Sequence, residues 1–173
     1  MHHSGPKKNW RDLQPVFIDF EASGLTGWPI EIGWAEPVEG QIRVQSYLIR
    51  PDPTWDTQEW DDEAEALHGI SQNLLVSQGM AAQDMARLTL QALEGRLLMS
   101  DAAAYDEKWL RQLLELQPLP SDLIVRDIAW LARHMDAGAQ AAMLEILRQD
   151  IPAHRAGPDA ACLARAWQAA LFA

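Results

Sequence analysis

The sequence predicts an α/β fold, a five-stranded mixed sheet flanked by helices. Three observations carry this. Val16-Phe17-Ile18 is a short continuous apolar run, the composition of a strand buried on both faces. Two strand-like segments follow it, separated by a hairpin-length break at Glu39-Gly40. Beyond Met80, short apolar runs alternate with amphipathic stripes.

The first strand ends at Asp19, and Ser23-Gly24 with Gly27 marks the turn after it. Ile30–Ala35 reads as the second strand, stopped by Pro37 and Gly40, and Ile42–Ile49 alternates as the third. Pro51 to Trp60 is loop-like. Ala81, Met85, Leu88 and Ala92 form a helical stripe closed by Gly95. Leu97-Leu98-Met99 is a buried strand, and Tyr105–Leu116 an amphipathic helix with Leu110, Leu113 and Leu114 inward, stopped before Pro118. Leu123-Ile124-Val125 makes the fifth strand, leading into a helix near Ile128–His134. Ala139–Leu147 and Ala160–Leu171 complete the set, with the loop Ile151–Pro158 between them.

A chain of 173 residues fits one domain. Polar residues 1–14 are expected to form a flexible lead-in, and residues 15–173 the domain. No apolar run approaches the roughly 18 residues of a spanning helix, which argues against a membrane partner. The first residues lack the apolar core of a secretory signal. One cysteine, Cys162, excludes an internal disulfide and a multi-cysteine zinc site. A reducing cytoplasm is the expected compartment. Fourteen Lys and Arg against 25 Asp and Glu give a net charge of -11. Such a chain is ill-suited to coating long nucleic acid, which takes many cationic phosphate contacts. A small site whose carboxylates are screened by divalent ions stays open.

Most of the acids need no special account, and the run Asp61, Asp62, Glu63, Glu65 reads as a solvated face. Four stand where a charge is costly. Asp19 ends the first strand and Glu21 projects from the same side two residues on. Asp106 and Asp159 lie on the apolar stripes of their helices, ahead of Leu110 and Leu163 respectively. Semi-buried carboxylates need a partner. Helix capping is the competing reading for Asp106 and Asp159, reinforced for the latter by Pro158. Taken together, two acids on a strand end and two at helix starts form an oxygen ligand set suited to magnesium or manganese. His154, five residues before Asp159, belongs beside that site. An imidazole titrating near pH ~6.5 suits it to accept a proton from water there.

These residues also carry a family resemblance. Val16-Phe17-Ile18-Asp19-Phe20-Glu21-Ala22-Ser23-Gly24-Leu25, with Pro29-Ile30-Glu31-Ile32-Gly33, resembles the first motif of the DEDDh (DnaQ-like) 3′–5′ exonucleases. Leu67-His68-Gly69-Ile70-Ser71 is similar to the family's His-Gly-Ile-Ser/Thr segment. Ser100–Leu110, with Tyr105-Asp106 opening a helix, resembles the second motif, and His154–Ala160 the third. The resemblance runs from about Val16 to Ala166. It implies a ribonuclease H-like fold and hydrolysis of single-stranded DNA or RNA 3′ ends to nucleoside 5′-monophosphates, with two divalent cations, Mg2+ or Mn2+.

By that resemblance Asp19, Glu21, Asp106 and Asp159 hold the metals and His154 is the general base. Phe20, Ser23, Leu25, His68 and Tyr105 would line the terminal nucleotide's pocket. Arg155 stands where the tyrosine subtype would place its tyrosine, which favours the histidine subtype. The family's usual Asn four residues before the second-motif Asp is here Ala102, preceded by Asp101, which fits either a helix cap or an outer-sphere role. Lys108, Arg111 and Arg155 are candidates for phosphate contacts. Trp28, Trp55 and Trp60 are candidates for base stacking, set against the commoner role of tryptophan as core or cover. Two other readings stand beside this one: an oligoribonuclease-like scavenger of short RNA, and a non-catalytic module on the same fold that docks a polymerase or other nucleic-acid-processing partner. The apolar end Ala169–Ala173 fits packing on the core or on a second copy in a homodimer.

Overall fold

In the computed structural model, which describes residues 9–56, 59–118 and 122–173, the sheet is mixed. Its strands are β1 (Pro15–Ala22), β2 (Pro29–Val38), β3 (Gln41–Arg50), β4 (Met80–Ala81), β5 (Leu97–Ser100) and β6 (Val125–Asp127). They lie in the order β4-β3-β2-β1-β5-β6. β1, β2 and β3 run antiparallel to their neighbours in turn, while β5 joins β1, β6 joins β5 and β4 joins β3 in parallel. The sheet thus has six strands where the sequence predicts five. The extra one is a two-residue segment pairing with Ile49 and Arg50, too short to leave a period-two pattern.

The helices are α1 (Asp62–His68), α2 (Gln72–Gln78), α3 (Ala82–Leu93), α4 (Ala103–Leu114), α5 (Ile128–Ala132), α6 (Ala137–Gln149) and α7 (Ala156–Leu171). Alternation along β1 serves both faces of the sheet. Val16, Ile18 and Phe20 pack with Met85, Leu110 and Leu113 of α3 and α4, and Phe17 packs with Leu163, Ala164 and Trp167 of α7. Both faces are therefore covered, which is why the strand reads as an uninterrupted apolar run.

Helices α1 and α2 fall in a stretch not predicted as helical. Their signals are local: the Asp61 side chain accepts from Glu63 N–H, Gly69 closes α1 in a left-handed conformation, and Ser71 caps Leu74 N–H. Seven residues are too few for a legible apolar stripe. Trp28 is buried, at 5.8 Å from Trp55 and 5.7 Å from Trp60, and these rings join Ile30, Ile70 and Leu75 in a satellite core. They are packing residues, which removes Trp28 from the stacking candidates.

The expected lead-in is partly structured. A short 3-10 turn at Trp10–Asp12 buries Trp10 edge-on against Trp167 at 5.6 Å, and Arg11 pairs with Asp136 at 3.1 Å. Residues 1–8 lie outside the described residues. At the other end Ala170 is buried in the core while Phe172 is exposed. Among the described residues no helix is long and apolar enough to cross a membrane.

Helix α7 begins four residues earlier than its apolar stripe indicates, and its first turn lies hard against the sheet. A Cβ on Gly33 of β2 would stand 2.3 Å from the Ala156 carbonyl carbon, and one on Gly157 would stand 2.8 Å from Ser46 Cβ. Only glycine permits that approach at both positions. It brings Asp159 over the end of β1.

Candidate functional site

Asp19 and Glu21 leave β1 on the side covered by α7, opposite Gly33 and Glu31 of β2. A register shift after Glu21 ends the regular pairing there. Asp159 comes down from the first turn of α7, and carboxylate oxygens of Asp19, Glu21 and Asp159 all lie within 4.8 Å of one another. The three border a cavity of about 410 Å3 together with Phe20, Asp101, Ala102 and His154. A larger groove of about 760 Å3 runs along the outside of α4, where Arg111 pairs with Glu107 at 2.6 Å.

Burial, then the neighbouring charges of Asp106, Glu21 and Asp159, push the Asp19 carboxyl up to about 10. Glu21 rises to about 8, through burial and then the charges of Asp159 and Glu31, with Arg155 opposing. Asp19 and Glu21 resist ionisation where they crowd against each other and Asp159, which a hard divalent cation would relieve, and the donor set is all oxygen. The residues present therefore fit such an ion.

Asp106 is built differently. It is 1% exposed, its Oδ1 accepts from Phe20 N–H at 3.1 Å, and its Oδ2 accepts a short hydrogen bond from Ser100 Oγ. Burial raises its carboxyl to about 7 against those two hydrogen bonds. It lies beneath the triad, with its oxygens turned to β1 and β5. Ser100, which also accepts from Ala102 N–H at 2.8 Å, escaped the sequence reading, because a serine at a strand end carries no signal of its own. Asp101 lies at the cavity mouth, exposed as a residue although partial desolvation raises its carboxyl. It does not cap α4: the cap position is Ala102, and no side chain caps that helix.

His154 borders the same cavity in a left-handed backbone conformation, φ +50°. Such a residue persists only where its surroundings over-determine it. Here Asp159 accepts from Ala153 N–H at 2.9 Å and from Arg155 N–H at 3.3 Å, gripping the loop on both sides of the histidine. Asp159 thus both holds the loop that leads into α7 and belongs to the triad.

Of the residues assigned to the nucleotide pocket, Phe20 borders the cavity and four stand apart from it. Ser23 is fully buried, donating to the Glu59 carbonyl and accepting from Trp28 N–H, both at 3.0 Å. His68 is buried, its Nδ1 accepting from Ile70 N–H at 3.0 Å, which leaves the proton on Nε2. Leu25 and Tyr105 are exposed, Tyr105 being stacked on Trp109 at 5.8 Å. The three candidate phosphate contacts already have partners. Lys108 Nζ donates to the Leu25 carbonyl at 2.7 Å, Arg111 pairs with Glu107, and Arg155 pairs with Glu31.

No protein-family model matches the sequence, and no curated protein matches it. Solved structures do. An exonuclease X in complex with 5′ overhanging duplex DNA aligns over 91% of this chain and 88% of its own, at 21% identity and a TM-score of 0.53. An exonuclease I aligns over 91% of this chain and 40% of its own, at 13% identity and a TM-score of 0.65. The zinc-bound E. coli ExoI–ssDNA complex aligns over 68% of this chain and 28% of its own, at 11% identity and a TM-score of 0.54. The chain spans less than half the length of those two exonuclease I structures and most of the exonuclease X. These likenesses establish the fold: a ribonuclease H-like α/β sheet shared with exonucleases.

Proposed function

We propose that this chain is a DEDDh-type 3′–5′ exonuclease, hydrolysing phosphodiester bonds at single-stranded 3′ ends to release nucleoside 5′-monophosphates, with residues 15–173 as its domain. One observation carries the reading: Asp19, Glu21 and Asp159 converge within 4.8 Å on the cavity that His154 borders. The shared fold with exonucleases supports it. A fold alone does not dictate activity, so the weight rests on the side chains.

Asp19, Glu21 and Asp159 would hold the cations, with Asp106 fixing the strand beneath them. Two divalent ions bound there supply positive charge to the attacked phosphate and to the departing 3′-oxygen. His154 takes a proton from the attacking water, and its clamped loop keeps the ring at the cavity wall.

The test is an oligonucleotide labelled at either end, incubated with Mn2+ and separately with chelator. The expected products are mononucleotides from the 3′ end, formed only with metal. Release from the 5′ end, internal fragments, or full activity in chelator would overturn the reading.

Charge favours a second reading within the same chemistry, the scavenging of short oligonucleotides. A net charge of -11 opposes long polyanions, and Lys108, Arg111 and Arg155 are bound within the protein. Rates on dinucleotides against long strands decide between them. The buried carboxylates argue against a purely non-catalytic module, since an interaction scaffold gains nothing from them.

A further inference from the structure

We propose that Glu31 and Arg155 act as a positioning clamp that sets the His154–Asp159 segment on the sheet, an inference resting on the nuclease reading of that site.

Glu31 is the third residue of β2, across from Glu21, and is 2% exposed. A carboxylate there is costly unless every lone pair is used. It is: Arg155 Nε donates at 2.9 Å and Nη2 at 2.8 Å, Ala156 N–H at 3.0 Å and Ser46 Oγ at 2.9 Å. Burial opposes its ionisation, yet the hydrogen bonds from Arg155, Ala156 and Ser46 outweigh it and hold the carboxyl below its ordinary range. Unlike Asp19 and Glu21, then, Glu31 is a compensated anion with no need of a metal.

Its partners are what give it a role. Arg155 follows His154 directly and occupies the cap position of α7, where no side-chain cap of its own exists. Ala156 is the first residue of that helix. Glu31 therefore supplies from the sheet the acceptor that the helix start lacks. It anchors the chain one and two residues beyond His154, while Asp159 anchors it one residue before and one beyond. Arg155 also lies close enough to Glu21 to offset part of its charge. The fork-on-fork geometry of a guanidinium on a carboxylate fixes direction as well as distance, which an ammonium does not. The left-handed backbone of His154 is thereby held between two carboxylates, one from the sheet and one from the helix.

The experiment compares wild type, Glu31→Gln, Arg155→Gln, their double variant and Arg155→Lys. For each single loss the expected result is a fall in kcat of about 10–100-fold with KM little changed, and a weaker Mn2+ affinity by direct titration. The double variant falls no further than the worse single one, as residues acting as a unit require. Arg155→Lys regains part of kcat. Amide hydrogen exchange at residues 153–157 accelerates in both single variants at least tenfold. Trp167→Phe, in the core at the far side of α7, serves as the control: it lowers the melting midpoint without the loss of kcat. Should Glu31→Gln fail to fold, Arg155→Gln, whose side chain is 41% exposed, gives the same readouts. Additive losses, unaltered exchange at 153–157, or a lower midpoint with unchanged kcat would overturn the clamp. A wild-type protein inert with Mn2+ would instead sink the nuclease reading, and hydrogen exchange would still decide the clamp.

Discussion

Phe20 N–H donates to Asp106 Oδ1 at 3.1 Å, so the strand carrying Asp19 and Glu21 is stapled to the start of α4. Asp106 is buried, and its other oxygen takes the Ser100 hydroxyl. Removing the carboxylate leaves a buried N–H and a buried hydroxyl without their acceptor, each costing about 1–3 kcal/mol. Asp106→Ala should therefore destabilise the metal-free fold by that order, measured by urea unfolding, while Asp106→Asn keeps an acceptor and loses less. A change below about 0.5 kcal/mol in the alanine variant would show that the staple contributes little.

Asp19 predicts the opposite sign. Its carboxyl is buried among like charges and is pushed up to about 10. Asp19→Asn removes that repulsion at nearly constant shape, so in chelator at mildly alkaline pH the thermal midpoint should rise. Hydrolysis with Mn2+ should at the same time fall by several orders of magnitude, a trade common where a site holds strained charge. A lower midpoint in the asparagine variant would mean that Asp19 is compensated within the protein.

Most of the sheet was legible because apolar runs mark strand interiors, as at Val16–Ile18, but the ends were not: β1 continues past Asp19 to Ala22, and β2 runs through Pro37, still paired with Ile42, to Val38. The closeness of Asp19, Glu21 and Asp159 was legible because two acids at the end of an apolar strand and one on the apolar stripe of a helix stand where a charge is costly. Glu31 was hidden: inside Ile30-Glu31-Ile32 it has the look of the polar phase of an ordinary alternating strand, and its partner lies 124 residues away. The start of α7 was hidden too, because Ala156-Gly157-Pro158 has weak helix propensity and is held by the close approach at Gly33. Asp101 could not be placed from sequence, since a cap and a cavity wall ask for the same residue type at a helix start.

His154→Ala separates proton transfer from metal binding. The imidazole borders the cavity without belonging to the carboxylate triad. Its loss should reduce kcat by about 10²–10⁴-fold, the usual worth of a positioned acid or base. Mn2+ affinity should stay within about threefold of wild type, because the triad's oxygens are untouched. A collapse of Mn2+ binding in His154→Ala would make the histidine a ligand or a loop anchor.

Metal binding and protonation must compete at this site, and the direction follows from the carboxyl shifts. Asp19, ordinarily near 3.8, is raised to about 10, and Glu21, ordinarily near 4.5, to about 8. An acid whose folded value is raised gives stability fully present below its unfolded value and lost as pH rises through the folded one. In chelator the melting midpoint should therefore fall between about pH 5 and about pH 9, and Asp19→Asn should flatten part of the slope. Glu31 works the other way, its stabilisation disappearing only on acidification below the ordinary carboxyl range. Because the cation displaces the protons on Asp19 and Glu21, stabilisation by Mn2+ should grow with pH across the same interval, and titration in buffers of different ionisation enthalpy should show net proton release. A midpoint gain from Mn2+ that is equal at both ends of the range, with no protons released, would place the ion elsewhere than on these carboxylates.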